Sequence, residues 1–502
     1  MCGIIGISNH RNAAQLAYTG LFALQHRGQE AAGLVTVHQG KLKIHVGMGL
    51  VSQVFKPDAF QHLPGRSAIG HVRYATTGES SVKNAQPLLF TQSRGSLAIA
   101  HNGNLTNAQE LKQKLEKRGA MFQSSTDSEV IVHLIARNTR PLEDAIIESL
   151  RQVEGAYSLL FLSSQKMIAV RDPHGFRPLV LGRLNGSYVV ASETCALDLI
   201  KSKFVREIEP GEMVIIEGGY LKSLKPFAEI PKAHCIFEYV YFARPDSKLF
   251  GTNVHQVRRE LGRELAREMI PPPGGSVRTI NSQAPLGASL GGGMKGIKAD
   301  LVVPVPDSGV PAALGFSQES GIMFEMGFIR SHYTGRTFIQ PLQSLRDMGV
   351  ELKLSALKEV LQGKRIILVD DSIVRGTTSR KIIRMLRRIK VKEIHMAISS
   401  PPIVSPCYYG IDTPQESELI AANHSIDKIR HYLGVDSLHY LSLKGLLRAA
   451  SAGREMGFCT ACFTREYPTR VSPVLKEPGS FMTDDPKGEI KAIFSKKVAA
   501  TF

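Results

Sequence analysis

The 502-residue chain has no apolar run approaching the about 18 residues that a membrane-spanning helix needs, so no bilayer span is expected. It also lacks a basic segment followed by an apolar stretch at its start, and the compartment expected is the cytoplasm. Cysteine is sparse. Six in the whole chain argue against a disulfide framework but allow one metal site. Acidic residues are in deficit, 45 against 62 Lys and Arg, for a formal net charge of +17. On charge alone a nucleic-acid role is possible, yet no recognition motif accompanies it, and no nucleic-acid partner is expected. The densest basic block, residues 381–392, carries Ile382, Ile383, Leu386 and Ile389 at helical spacing, so it reads as a packed helix with a solvated outer side. An NTPase phosphate loop is missing too: residues 291–296 (GGGMKG) have neither the Ser/Thr nor a flanking strand. What remains is a chain long enough for two substantial cores.

The most informative stretch present is residues 364–380, KRIILVDDSIVRGTTSR. Ile366 to Val369 is the all-apolar run of a fully buried parallel strand. Two carboxylates, Asp370 and Asp371, end it; Gly376-Thr377-Thr378 makes a polar turn, and an amphipathic helical pattern follows. Such an arrangement turns backbone N–H groups toward a phosphate at the edge where open α/β sheets bind ligands. The acid pair distinguishes it from an NTPase loop, which needs a lysine on its phosphates. Carboxylates instead accept from vicinal sugar hydroxyls or hold a hard cation, so a phosphorylated ribose fits both ends of the loop. The ordinary alternative is an acidic strand end capping a helix.

The start of the chain carries a different chemistry. Cys2 follows Met1 directly, and a small second residue permits removal of that methionine. The freed α-amine, with an ordinary pKa of about 7.7–8.0, would serve as base for its own thiol. Four segments carry polar groups that amide cleavage needs: LQHRGQE (24–30), a basic turn; HVRYATTG (71–78), with Arg73; AHNGN (100–104), with Asn102 and Gly103; and STDSE (125–129), with Asp127. Asn102 and the Gly103 N–H are candidate oxyanion donors. Arg73 could grip an α-carboxylate through its planar fork and Asp127 an α-ammonium, together recognising the amino-acid end of glutamine. Singly, each has a routine reading as turn, helix cap or surface charge.

Residues 364–380 resemble, nearly residue for residue, the phosphoribosyl-pyrophosphate (PRPP) loop of the type I phosphoribosyltransferases. That resemblance implies Asp370 and Asp371 on the ribose hydroxyls and Mg2+, with Ser372, Arg375, Gly376, Thr377 and Thr378 around the 5′-phosphate. Residues 305–309 (VPDSG) would be the pyrophosphate loop, with Ser308 helping to hold Mg2+. Residues 330–341 (RSHYTGRTFIQP) resemble the loop that folds over PRPP, mobile without it, with Arg336 and Thr337 as contacts and Gly335 as pivot. From Cys2-Gly3-Ile4 through Asp127 the chain resembles the class II glutamine amidotransferases. This implies the N-terminal-nucleophile hydrolase fold, two stacked sheets between helices, with Cys2 as nucleophile.

The two halves together resemble one family of glutamine-dependent phosphoribosyltransferases, over about residues 1–470. The resemblance implies that ammonia from glutamine displaces pyrophosphate from PRPP, giving 5-phosphoribosylamine, glutamate and pyrophosphate. This is the committed step of purine synthesis, so feedback by purine nucleotides and a homo-oligomer, dimer or tetramer, are implied as well. Cys235, Cys407 and the pair Cys459 and Cys462 lie in segments matching the family's cluster-bearing branch, which implies a structural [4Fe–4S] cluster. Four thiolates suit zinc equally, and spacing does not choose between them. Cys195 is left for buried packing. Two rival readings are a different glutamine-dependent enzyme and a non-catalytic, PRPP-sensing regulator that binds nucleic acid.

The expected fold is α/β: an α+β glutaminase domain (2–231) with the αββα sandwich, then a doubly wound parallel-sheet phosphoribosyltransferase domain (232–470). Residues 207–219 (EIEPGEMVIIEGG) read as a strand pair ending the first domain. The Pro- and Gly-rich residues 271–298 read as a flexible insertion, and 471–502 as a tail without functional signal.

Overall fold

The computed structural model describes residues 1–74, 80–92, 95–270, 298–331, 354–413 and 415–471. Gly335, Arg336 and Thr337, residues 271–297 of the insertion and the tail from 472 lie outside the described residues.

Two antiparallel sheets build the first part. One has seven strands, ordered edge to edge Lys203–Glu207, Val180–Leu184, Ser187–Ala191, Gly3–Ser8, Ser67–Arg73, Ala31–His38 and Lys41–Met48. The other has six: Tyr220–Leu224, Met213–Glu217, Lys166–Arg171, Gly155–Leu162, Gly95–Leu105 and Leu88–Gln92. Alternation along a strand sends successive side chains to opposite faces. In Gly3–Ser8, Ile5 and Ile7 therefore pack under helix Ala13–Ala23, while Ile4 meets Ala98, Ala100 and Leu160 of the other sheet. The second sheet turns Leu97, Ile99, Leu159 and Phe161 outward onto helices Ala108–Glu116, Ser128–Ala136 and Leu142–Leu150. The layers are thus helix, sheet, sheet, helix, as expected. Residues 207–219 are not a strand pair. Lys203–Glu207 pairs with Val180–Leu184 in the first sheet, whereas Met213–Glu217 pairs with Lys166–Arg171 and Tyr220–Leu224 in the second. Pro210, which has no N–H, and Gly211, at φ +72°, break the ladder and carry the chain across.

The second part centres on four parallel strands in the order Leu301–Pro304, Arg365–Asp370, Glu393–Ile398 and Ser437–Tyr440. Beyond Leu301–Pro304, Val302 makes a parallel bridge to Phe324. Val302, Ile367, Val369 and Ala397 face helices Val254–Met269, Val310–Ser320 and Leu443–Ser451. Val303, Ile366, Leu368 and Met396 face Thr377–Arg388 and Ile426–Leu433. The chain leaves Leu301–Pro304 outward to Phe324 and returns on the other side at Arg365–Asp370. Winding therefore reverses between these two strands, and a doubly wound sheet opens its ligand crevice at the carboxyl ends flanking such a reversal. His234–Cys235 pairs in parallel with Phe458–Cys459, tying the junction of the two parts to the far end of the chain.

Candidate active sites

Cys2 sits where the two antiparallel sheets meet. It precedes strand Gly3–Ser8, whose Gly3 is in register with Val72, so it lies beside Arg73 at the end of the neighbouring strand. Its thiol donates toward the Tyr74 carbonyl at 3.6 Å. Its N–H crosses to the second sheet and donates to Asn102 Oδ1 at 3.3 Å. That bond fixes the amide's orientation and leaves Asn102 Nδ2, fully buried, with no acceptor among the described residues. Gly103 follows at φ +154°, and a Cβ there would come within 2.0 Å of the Ala156 carbonyl oxygen, so only glycine fits. Arg73 is buried and its guanidinium donates to Glu30 at 2.5 Å.

Asp127 precedes helix Ser128–Ala136 without capping it by its side chain. Its carboxylate accepts instead from the Leu105 N–H at 2.9 Å and lies 3.7 Å from His101 Nδ1. Burial pushes Asp127 up, but the imidazole and the donated bonds outweigh it and hold the carboxyl below its usual range. Burial pushes His101 down, yet Asp127 outweighs it in turn and holds the imidazole above its usual value.

Arg27 was hidden in what reads as a basic turn. It follows the helix as part of a short 3₁₀ turn, Gln25–Arg27, and is buried. Its Nε donates to the Cys2 carbonyl at 2.9 Å, and its terminal nitrogens reach Glu193 at 2.5 Å and Glu238 at 2.7 Å. Like His101, it has partners far away in sequence, and no local pattern announces them.

At the second crevice, Asp370 and Asp371 end their strand and are both buried. Burial first, then the charge of Asp371, pushes Asp370 far above the usual carboxylate range. Burial pushes Asp371 up as well, against the pull of the Ser308 and Ser372 hydroxyls and the Arg258 guanidinium. Ser308 from the facing strand end thus meets this pair, while Ser372 bonds Asp371 at 2.5 Å. Gly376, at φ +74°, starts helix Thr377–Arg388, and Thr377 and Thr378 are exposed at its first turn. Arg375 points outward to Glu418 at 3.0 Å. The pair's unrelieved charge is what a divalent cation would neutralise, so the donor set fits Mg2+.

Cys235, Cys407, Cys459 and Cys462 line one cavity, walled by Phe176, Phe237 and Tyr409. Among the described residues no three His, Cys, Asp or Glu side chains converge closely enough to grip a metal ion. Burial raises the Cys235 thiol to about 11 and the Cys459 thiol still further, and burial with the proximity of Cys459, Cys407 and Cys235 raises Cys462 well above its ordinary value. Four such thiols around a shared cavity fit a thiolate-bound metal group in composition. Cys195 is buried beneath Ala23 and Glu193, as expected of packing.

Fold and sites together define a glutaminase sandwich joined to a PRPP-type crevice, a glutamine-dependent phosphoribosyltransferase. Residues 71–199 match the family described as glutamine amidotransferase domain, and 291–401 the phosphoribosyl transferase domain. The amidophosphoribosyltransferase of Bacillus subtilis (strain 168) is 48% identical over 477 residues, covering 94% of each chain. A solved glutamine PRPP amidotransferase from B. subtilis, complexed with ADP and GMP, superposes with a TM-score of 0.84 at 47% identity, over 94% of this chain and 98% of that one. A second structure, described as the allosteric regulatory enzyme of purine biosynthesis, gives 0.85 at 47% identity, over 95% and 99%. The chain belongs to the amidophosphoribosyltransferase family. It transfers ammonia from glutamine to PRPP, releasing pyrophosphate and glutamate and forming 5-phosphoribosylamine for purine biosynthesis. Among the described residues no helix is long and apolar enough to cross a membrane.

Proposed function

We propose that Cys2, made N-terminal by removal of Met1, is the glutaminase nucleophile, with Asn102 Nδ2 and the Gly103 N–H as oxyanion donors. The observation that carries this is the buried amide nitrogen of Asn102, left without an acceptor beside the Cys2 backbone. A desolvated donor without a partner costs about 1–3 kcal/mol, which an oxyanion forming there recovers. Burial, then the nearby Arg177 and Arg27, pushes the amine at Met1 down to about 5. The α-amine of Cys2, with an ordinary pKa of about 7.7–8.0, then takes the thiol proton. The thiolate adds to the amide carbon, the oxyanion collapses, and ammonia leaves with the proton the amine had taken. The thioester that remains is hydrolysed to glutamate. Arg73 would hold the α-carboxylate of glutamine and Asp127 its α-ammonium.

Ammonia meets PRPP in the second crevice. Asp370 and Asp371 would hold the ribose hydroxyls and, with Ser308, Mg2+, while Ser372, Arg375, Gly376, Thr377 and Thr378 would surround the 5′-phosphate; Arg336 and Thr337, outside the described residues, are assigned as further PRPP contacts. Held by Asp370, Asp371 and Ser308, Mg2+ would supply charge neutralisation for the departing pyrophosphate. Ammonia passes internally from the first site to the second. Free ammonia exposed to water would protonate and lose its lone pair. We assign residues 2–231 to the glutaminase domain and 232–470 to the phosphoribosyltransferase domain, and a structural [4Fe–4S] cluster to Cys235, Cys407, Cys459 and Cys462. Six reduced cysteines suit the cytoplasm. The ADP and GMP on the B. subtilis relative support purine-nucleotide feedback, and we assign a homo-oligomer, dimer or tetramer, with it.

The test is glutamate and pyrophosphate release from anaerobic protein with glutamine, Mg2+ and PRPP, omitting each in turn. Equal release is expected, with glutamate falling when PRPP is absent. Cys2→Ser should abolish glutamate release while ammonium salts still support pyrophosphate release. Glutamine-dependent turnover surviving that substitution would overturn the role of Cys2.

A further inference from the structure

We propose that Glu238, from the segment opening the second half, is a positioning residue for Cys2, acting by fixing the guanidinium of Arg27 against the Cys2 carbonyl. The inference rests on the reading of Cys2 as nucleophile.

Arg27 is a hub. Nε donates to the Cys2 carbonyl at 2.9 Å; Nη1 donates to Glu193 at 2.5 Å and Glu238 at 3.0 Å; Nη2 donates to Glu238 at 2.7 Å and faces Met1 Sδ at 3.7 Å. The planar fork therefore has a partner in every direction it can donate, and swinging it away from Cys2 breaks all of these together. All three charged side chains are completely buried, so water cannot substitute for a lost partner. Gly3 makes room for the fork: a Cβ there would touch Leu24 and Val72 at 3.0 Å and Arg27 Cδ at 3.4 Å.

The two carboxylates enter from different directions. Glu193 stands at the end of the first sheet, before helix Thr194–Leu199, and also accepts from His26 at 2.7 Å and the Ser247 hydroxyl at 2.7 Å. Glu238 begins a one-turn π-helix, Glu238–Phe242, just past strand His234–Cys235, and also faces Arg177 at 3.4 Å. π-turns recur at functional positions because they re-aim a side chain out of helical register. Two guanidinium groups and two carboxylates balance in one closed cluster. Without Glu238, Arg27 and Arg177 lose the carboxylate between them and repel, and among the described residues no other side chain of the second half bonds Arg27 directly. Nucleophile geometry in the glutaminase is thus completed by the half that binds PRPP.

The experiment compares Glu238→Gln with wild type in the full-length enzyme, using glutamine or ammonium salts as nitrogen donor. The amide keeps the shape but removes the charge and turns N–H groups toward the guanidinium. The expected result is a fall in glutamine-dependent kcat of about 10- to 100-fold, as small misplacements of reacting groups produce. Glutamine KM and ammonia-dependent kcat should stay within about twofold, which a global structural defect would not allow. Alkylation of Cys2 by a chloroketone analogue of glutamine should slow in step. Should the Gln variant not fold, Glu238→Asp keeps the buried charge, withdraws it by one methylene and carries the same comparison. Arg27→Lys combined with either variant should be no worse than Arg27→Lys alone, because both act through one contact. Parallel loss of both activities, or loss of neither, overturns the positioning role. Cys2→Ala separates the two readings: if it keeps glutamine-dependent turnover, the nucleophile assignment fails, whatever Glu238 does.

Discussion

Asn102 Oδ1 accepts from the Cys2 N–H, and its Nδ2, without an acceptor among the described residues, is the donor we propose for the oxyanion. Asn102→Ala should lower glutamine-dependent kcat by about 10²–10³, the usual cost of one oxyanion donor. Ammonia-dependent turnover should be unaffected, and steady-state rates with the two nitrogen donors check both halves of the statement. His101 supplies a second test. Asp127 holds its imidazole above the ordinary value against burial, so the folded chain keeps a proton that the unfolded chain releases near pH ~6.5. The stability this contributes is complete below that pH and is lost as pH rises through the folded value. Thermal midpoints should therefore decline over that window, and His101→Gln should flatten the decline. An identical slope in both proteins would rule the linkage out. The placement of Cys2, Asp370 and Asp371 at buried strand ends was legible because the flanking apolar runs are contiguous in the sequence. Arg27 was not, because its partners lie 166 and 211 residues away and only folding assembles them.

At the scale of elements, the loop after Cys407 presses directly on strand Gly95–Leu105, which carries Asn102 and Gly103. Asn104 Nδ2 donates to the Tyr408 carbonyl at 3.0 Å, Arg177 Nε to the Tyr409 carbonyl at 2.9 Å, and Gly410 lies flat on Gly103. A Cβ on Gly410 would come within 2.8 Å of the Gly103 carbonyl carbon and oxygen, and its φ of +101° disfavours any side chain. Gly410→Ala should cost about 1–3 kcal/mol of stability from the backbone conformation alone. Because the displaced backbone belongs to Gly103, glutamine-dependent turnover should fall by about tenfold or more while ammonia-dependent turnover holds. Paired denaturation curves and rates check this. Much of the element order was readable, since Ile366–Val369 is an unbroken apolar run and the Lys381 helix alternates cleanly between packed and charged faces. The crossing at Pro210-Gly211 was misread as a hairpin, because a turn signal states that the chain reverses but not which sheet receives it. Short strands such as His234–Cys235 left no pattern at all, being two residues long and paired with Phe458–Cys459.

For the whole molecule, the two halves are bound by buried charge as much as by apolar surface. Glu238 answers Arg27 and Arg177 of the sandwich, and Arg177 in turn holds the Tyr409 carbonyl beside the cysteine cavity. Domains within a chain usually move relative to one another unless their interface is large and tightly made. Here, separating the halves would strand fully buried ions, and breaking one such pair costs about 3–5 kcal/mol. The halves are therefore expected to unfold together. The chain has 13 tyrosines and no tryptophan, and Tyr408, Tyr409 and Tyr467 cluster where the halves meet. Tyrosine fluorescence consequently reports strongly on the junction, while far-ultraviolet circular dichroism reports on both sets of sheets. In guanidinium the two signals should trace one transition in the wild type. In Glu238→Gln, where the bridging charge is gone, the tyrosine change should come first, at lower denaturant. Two resolved transitions in the wild type would mean that the junction is held by something weaker than its buried ion pairs.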